Sequence, residues 1–477
     1  MRTLLCALAI VLWGGVATAQ ETGAEAEAEA PARAWGPAAM DLEESRGSAE
    51  ALEEDRIPPD FDGREDPSTT ATDAALALPH LVLTPLYVAE RYVLYPPIRA
   101  FAIWAEKNNI PVKAYALLTI GKEQRITFLP TTLVDFGFRT SIGLMMRGSN
   151  LGHAVDGVFH VAWGGSRWWK VNLKAEVPIG GEERTPDTPF AGSSVGVGFV
   201  YNGRPDWVFF GLGPVTFDER TRYFRDQLGG GAKGTLSFGY LDAVGIRAWV
   251  ERNRFEDGLG ILGDATITEE FDTAEIPGFD SGYTLAEVGL FLELDSRESR
   301  PESGTGGRLE LSGDFGSDVA EDLGSFLRWE VEGALFLDLT GRNRTLSFRQ
   351  NVQGVHALGE GMVPFTERIL LGGNELQRGF LQGELIGESA TVTTLQYTWP
   401  VWVSLDGLLF AEVGNTFDKD FEGFALEAMR GSAGLGIKAT SGRTSAFHAF
   451  FALGSTKFDE AFAVDSIRFV LGSERGF

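Results

Sequence analysis

The sequence predicts a sixteen-strand antiparallel transmembrane β-barrel with one long loop folded into its interior. Three observations carry this expectation. From about residue 120 onward, short segments alternate apolar and polar residues, with Gly, Asp or Asn clusters between them. The chain opens on a secretory signal that holds its only cysteine, Cys6. It closes on an aromatic residue, Phe477.

The order along the chain is signal, acidic linker, short helices, barrel. Residues 1–19 combine Arg2, an apolar stretch from Leu4 to Val16 and an Ala17-Thr18-Ala19 cleavage site. Removing them leaves no thiol, which excludes disulfides, Cys-ligated zinc and cysteine catalysis. Residues 20–77 form a disordered linker. Between Glu21 and Asp66 there are 15 acids and 4 bases, net −11, too polar to bury a core. Residues 78–119 suggest two short helices broken at Pro96-Pro97. Tyr87, Tyr92, Tyr95 and Trp104 there fit a lipid headgroup level or an ordinary packed helix equally well. The barrel occupies 120–477.

Composition excludes other classes. Only one long apolar run exists, at the N-terminus, so a helical membrane bundle is ruled out. Gly makes up 60 of 477 residues without a Gly-X-Y period, which rules out collagen. A net charge of −26 argues against electrostatic capture of nucleic acid.

The barrel segments show one apolar face and one charged, Gly-bearing face. In 284–295, Val288, Leu290, Leu292 and Leu294 oppose Glu287, Glu293 and Asp295. In 244–251, Val244, Ile246, Ala248 and Val250 oppose Arg247 and Glu251. A soluble sandwich alternates too, but its polar face looks outward; a membrane barrel inverts this. Export, the absent thiol, the terminal aromatic and segments of roughly ten residues favour the barrel. The expected strands are 136–147, 155–164, 167–177, 193–202, 219–226, 232–241, 243–252, 284–295, 307–315, 324–338, 343–356, 390–402, 405–414, 428–439, 444–453 and 463–471. Residues 357–389 separate the eleventh from the twelfth, a length usual for functional or disordered loops.

That loop contains ERILLGGNELQRGF, Glu367 to Phe380, and two strands later comes FAEVG, Phe410 to Gly414. The pair resembles the signature loop and strand of the BamA/TamA family of outer-membrane barrels, the bacterial surface antigen family. The Leu-Gly-Gly turn corresponds to Leu371-Gly372-Gly373 and the tip to Arg378-Gly379-Phe380. The strand motif corresponds to Phe410, Glu412 and Gly414, with Glu412 where Asp is usual. LDSRESRPESGTGGRLEL (294–311), GSAGLGIK (431–438) and the terminal IRFVLGSERGF, with Phe469, Leu471 and Phe477, are similar as well. The resemblance covers about 120–477. It implies a bacterial outer-membrane location and a role in inserting or translocating protein or lipid. Members that fold other barrels carry periplasmic domains before the barrel, and none is recognisable in 20–120.

Arg offers a planar fork of donors that a carboxylate accepts bidentately, so Arg378 is expected to pair with Glu412 and pin the loop inside. In a wet, confined lumen the pair is expected to contribute about 1–3 kcal/mol. Gly379 allows close approach to the wall, and Phe380 wedges the tip.

Catalytic signals are weak. Gly192-Ser193-Ser194-Val195-Gly196 fits G-x-S-x-G, but strand rather than helix follows. Gly229 to Gly234 (GGGAKG) fits G-x-G-x-x-G and reads as a hairpin turn. The five histidines have no metal-ligand spacing. No enzyme, metal or cofactor is expected. Three functions stay open: a barrel whose first–last seam opens laterally for a client protein or lipid, a passive cation-favouring channel, and an anchor whose acidic segment recruits a separate periplasmic partner. Contact with outer-membrane lipid is common to all three.

Overall fold

The computed structural model describes Ala100, Trp104, Lys107, Asn108, Leu118, Thr119, Ile120 and residues 125–472, apart from 152–154, 180–189, 214–219, 239–241, 262, 298–304, 340, 342, 403–404 and 442–443. The expected signal, the acidic linker, nearly all of 78–119, and Phe477 lie outside the described residues.

Sixteen strands form the wall: β1 (Ile126–Asp135), β2 (Ser141–Leu151), β3 (Val155–Trp163), β4 (Trp169–Ile179), β5 (Ser193–Phe209), β6 (Thr221–Phe238), β7 (Asp242–Asp257), β8 (Tyr283–Asp295), β9 (Gly306–Asp318), β10 (Ser325–Asp338), β11 (Thr345–Leu358), β12 (Ser389–Trp402), β13 (Leu405–Phe417), β14 (Arg430–Ser441), β15 (Thr444–Lys457) and β16 (Val464–Gly472). Each pairs antiparallel with its sequence neighbour, and β16 returns to β1, closing the sheet. Closure removes free sheet edges, which a lipid environment requires.

Side-chain parity follows the predicted alternation. Val288, Leu290, Ile246, Val250 and Leu335 point outward and are exposed. Arg247, Asp314, Arg328, Glu332 and Asn351 point inward, where arginines pair with carboxylates. Arg247 bonds Asp314 Oδ1 at 2.7 Å, Arg328 bonds Glu287 Oε2 at 2.5 Å, and Arg308 bonds Glu332 Oε1 at 2.6 Å. Confined charges are tolerable when paired in this way.

Two strand expectations are corrected. The segment 136–147 is not one strand: Phe136–Thr140 turn between β1 and β2, and the strand over 126–135 has no counterpart among the expected ones. Its sequence, ITFLPTTLVD, hides the alternation behind Pro130 and two threonines. Pro is tolerated in a strand that has a short pairing on one side, as β1 does with β16. The segments 219–226 and 232–241 are one strand, β6, so GGGAKG is not a hairpin turn. The glycines leave room for the Trp249 indole. A Cβ on Gly231 would lie 2.5 Å from Trp249 Cε3 and 2.1 Å from the Ala248 carbonyl oxygen. Trp249 Nε1 donates to Glu251 Oε2 at 3.1 Å.

Long connections gather at one rim. Residues 258–282 between β7 and β8 and residues 359–388 between β11 and β12 fold over that end. Phe209, Tyr223, Phe255, Phe279, Tyr283, Phe365 and Phe380 join one buried apolar cluster beneath them. Phe365 sits 4.8 Å from Phe255 and 5.4 Å from Tyr223, centroid to centroid. Burying such rings makes this cap a packed core.

Candidate functional site

The β11–β12 loop enters the lumen as a hairpin. Ile369–Leu371 pairs with Leu385–Gly387 in register Ile369↔Gly387, Leu370↔Ile386, Leu371↔Leu385. At its end Gly372 turns with φ +98, and a Cβ there would meet the Leu381 carbonyl oxygen at 2.0 Å. Only glycine satisfies both conditions. Gly373 N donates to Phe380 O at 3.0 Å, and Phe380 N donates to Gln377 O at 3.0 Å, so the tip is closed on itself.

Arg378 meets Glu412. Its Nε donates to Glu412 Oε1 at 2.9 Å, and its backbone N–H donates to Oε2 at 2.7 Å. Both oxygens of this β13 carboxylate are therefore engaged by one loop residue. Arg378 Nη1 also donates to Gln396 Oε1 of β12 at 2.9 Å. The guanidinium carbon lies 3.5 Å from the centroid of the Phe410 ring, a cation–π arrangement. The two side chains are 9% and 0% exposed, so water contributes little screening.

Neighbouring residues fasten the tip to the wall. Gln377, in left-handed conformation at φ +54, donates through Nε2 to Gly414 O at 2.9 Å and Arg430 O at 3.2 Å. Gly379 N donates to Ser432 Oγ of β14 at 2.8 Å. A Cβ on Gly379 would lie 2.4 Å from Leu453 O and 2.7 Å from Gly454 N of β15. Phe380 is fully buried, and its ring covers Gly454. The structure thus gathers Arg378, Gly379, Phe380, Gly372, Gly373, Phe410, Glu412 and Gly414 at one place. Phe469 and Leu471 lie apart from the tip, on the outward face of β16.

Gln377, Gln396, Ser432, Asp135 and Arg468 carried no expectation of their own. Arg468 of β16 is wholly buried. Its Nη1 donates to the carbonyls of Gly373, Arg378 (3.1 Å) and Phe380 (3.0 Å), and its Nη2 to Asp135 Oδ2 of β1 at 2.7 Å. Strand parity carried the signal: between outward Ile467 and Phe469, Arg468 must face the lumen.

Glu384, on the returning limb, has its carboxyl raised to about 7 by burial. Its acceptance of the Leu381 N–H (2.7 Å) and the nearby Arg430 and Arg468 favour ionisation, while Asp465 opposes it. The docked value exceeds the ordinary 4.5, so ionisation penalises docking. Docking should be strongest below about pH 4.5, weaken as the pH climbs to about 7, and level off above that. Protease cleavage of the loop from pH 5 to 8 should therefore rise with pH in the wild type and stay flat in Glu384→Gln.

The arrangement clamps; it offers no reacting centre. Ser193 opens β5, and its Oγ accepts from Ser237 N at 2.9 Å, with strand following. Among the described residues no group of His, Asp and Glu is placed to hold a metal.

Comparison with known proteins fits this architecture. Residues 262–474 match the Omp85 superfamily domain. Among solved structures, BamA from Haemophilus ducreyi lacking POTRA domains 1–3 is 12% identical with a TM-score of 0.52, covering 73% of this chain and 70% of that one. CdiB from Acinetobacter baumannii is 12% identical (TM-score 0.45) and CdiB from Escherichia coli 14% (0.45); each covers 73% of this chain, which spans 60% and 63% of theirs. No curated protein matches.

Proposed function

We propose that this chain, an outer-membrane β-barrel whose residues 262–474 match the Omp85 superfamily domain, opens sideways at its β16–β1 seam to pass a client protein or lipid into the bilayer. The supporting observation is the seam's offset. β1 ends at Asp135, opposite Val470, so Val464 to Arg468 run on past its end. Among the described residues the pairing is Leu133↔Gly472, Val134↔Leu471 and Asp135↔Val470. The neighbouring β15–β16 ladder extends from His448↔Gly472 to Ser455↔Val464. Among the described residues this seam has fewer ladder pairs than the β15–β16 and β1–β2 ladders beside it, which lowers the cost of opening there. The docked loop tip holds the wall together until a client arrives. A packed aromatic cap at the long-loop rim speaks against free ion passage, the channel reading. The anchor reading places its periplasmic partner on residues 20–77.

Val134→Cys with Leu471→Cys tests the proposal. Oxidation should staple the two outward-facing register partners. Reconstituted in liposomes, the reduced barrel should speed insertion of an unfolded eight-strand outer-membrane barrel, and the oxidised one should not. Equal acceleration in both states would remove lateral passage.

A further inference from the structure

We propose that Arg468 is the positioning residue that ties the seam to the loop tip, so that seating the loop and closing the barrel are one event. The inference rests on the reading of the seam as the working face and names how that face is regulated.

The geometry is specific. Arg468 sits on β16, and none of its side chain is exposed. One guanidinium nitrogen holds three carbonyls of the loop tip, and the other holds Asp135, the last residue of β1. Among the described residues no ladder pair joins β16 to β1 at this height, because β1 ends there. The fork geometry of arginine permits this double engagement through two separate nitrogens, whereas an ammonium presents all its donors from one atom.

A second contact points the same way. Leu381, next after the tip, packs with Phe138 and Val208, and its Cδ2 would touch a Cβ on Gly137 at 3.0 Å. Gly137 and Phe138 lie in the turn that continues β1. The loop therefore grips both flanks of the seam, β16 through Arg468 and the continuation of β1 through Leu381. Withdrawing the loop takes all three carbonyl acceptors away from Arg468 Nη1 while the guanidinium stays buried. A buried charge short of partners is costly, and parting β16 from β1 gives it water. Loop release thus favours seam opening, and by linkage seam opening favours loop release by the same factor.

The test reads two quantities in intact, detergent-folded chains that pass heat-modifiable migration. One is the rate of disulfide formation between Val134→Cys and Leu471→Cys, which reports the closed seam. The other is protease cleavage of the loop. With Arg468 present, Arg378→Ala should raise cleavage and slow the disulfide several-fold. With Arg468→Ala, the same Arg378→Ala should still raise cleavage but change the disulfide rate less than twofold. Asp135→Ala removes only the β1 arm; it should slow the disulfide and, through the linkage, raise cleavage of the loop, and it serves where Arg468→Ala does not fold. Independent effects of Arg378→Ala and Arg468→Ala (or Asp135→Ala) on the disulfide rate would overturn the coupling. These readouts need no client, so the coupling can hold while the insertion assay fails, and the reverse.

Discussion

Replacing Glu412 by alanine should release the β11–β12 loop from a barrel that remains folded. The substitution removes the acceptor for Arg378 Nε and for its backbone N–H together, leaving a buried guanidinium with Gln396 as its remaining side-chain acceptor. Breaking a buried ion pair from one side costs about 3–5 kcal/mol, because the surviving charge stays out of water. The least costly escape is for Arg378 to leave with the tip. Limited proteolysis should therefore cut between residues 372 and 384 in Glu412→Ala and spare the wild type, while heat-modifiable migration persists in both. Arg378→Ala should do the same, and the double variant should cost much less than the sum of the single changes, since both remove one interaction. A protected loop in Glu412→Ala would show that the pair contributes nothing to docking.

Gly379→Ala should release the loop as fully, with no change in charge. The added methyl would lie 2.4 Å from Leu453 O and 2.5 Å from its carbonyl carbon. These are backbone atoms of a strand paired on both sides, with Ala433 and with Ile467, so they have nowhere to go. Overpacking against a fixed wall typically costs about 1–3 kcal/mol, and the tip yields before the sheet does. Gly313→Ala supplies the control, since nothing lies within 4 Å of its Cβ position. Proteolysis should separate the two variants; equal protection would mean that the tip is not pressed against β15.

Much of this was legible in the sequence. Alternation placed the outward apolar faces, and the spacing of ERILLGGNELQRGF and FAEVG put the loop between the eleventh and twelfth strands, with its acidic partner on the thirteenth. That numbering held because two misreadings cancelled. The Pro130 and Thr131-Thr132 interruption concealed β1, while the Gly229–Gly231 run split β6. Glycine is strong turn punctuation in isolation, and its other use, clearing space beneath a tryptophan, depends on a residue about twenty positions away. The role of Arg468 is hidden in the sequence for a related reason. Attention to the terminal aromatics singles out the lipid side of β16, and the importance of the opposite side appears only when the loop lies against it.

The three carbonyls gathered by Arg468 have a consequence for biogenesis. Their donor resides on the strand that closes the barrel against β1, so the hairpin tip lacks one of its anchors until that strand is in place. Seating the tip is then a checkpoint on wholeness: a nascent barrel missing its last staves keeps the tip unmoored, and a finished one draws it home.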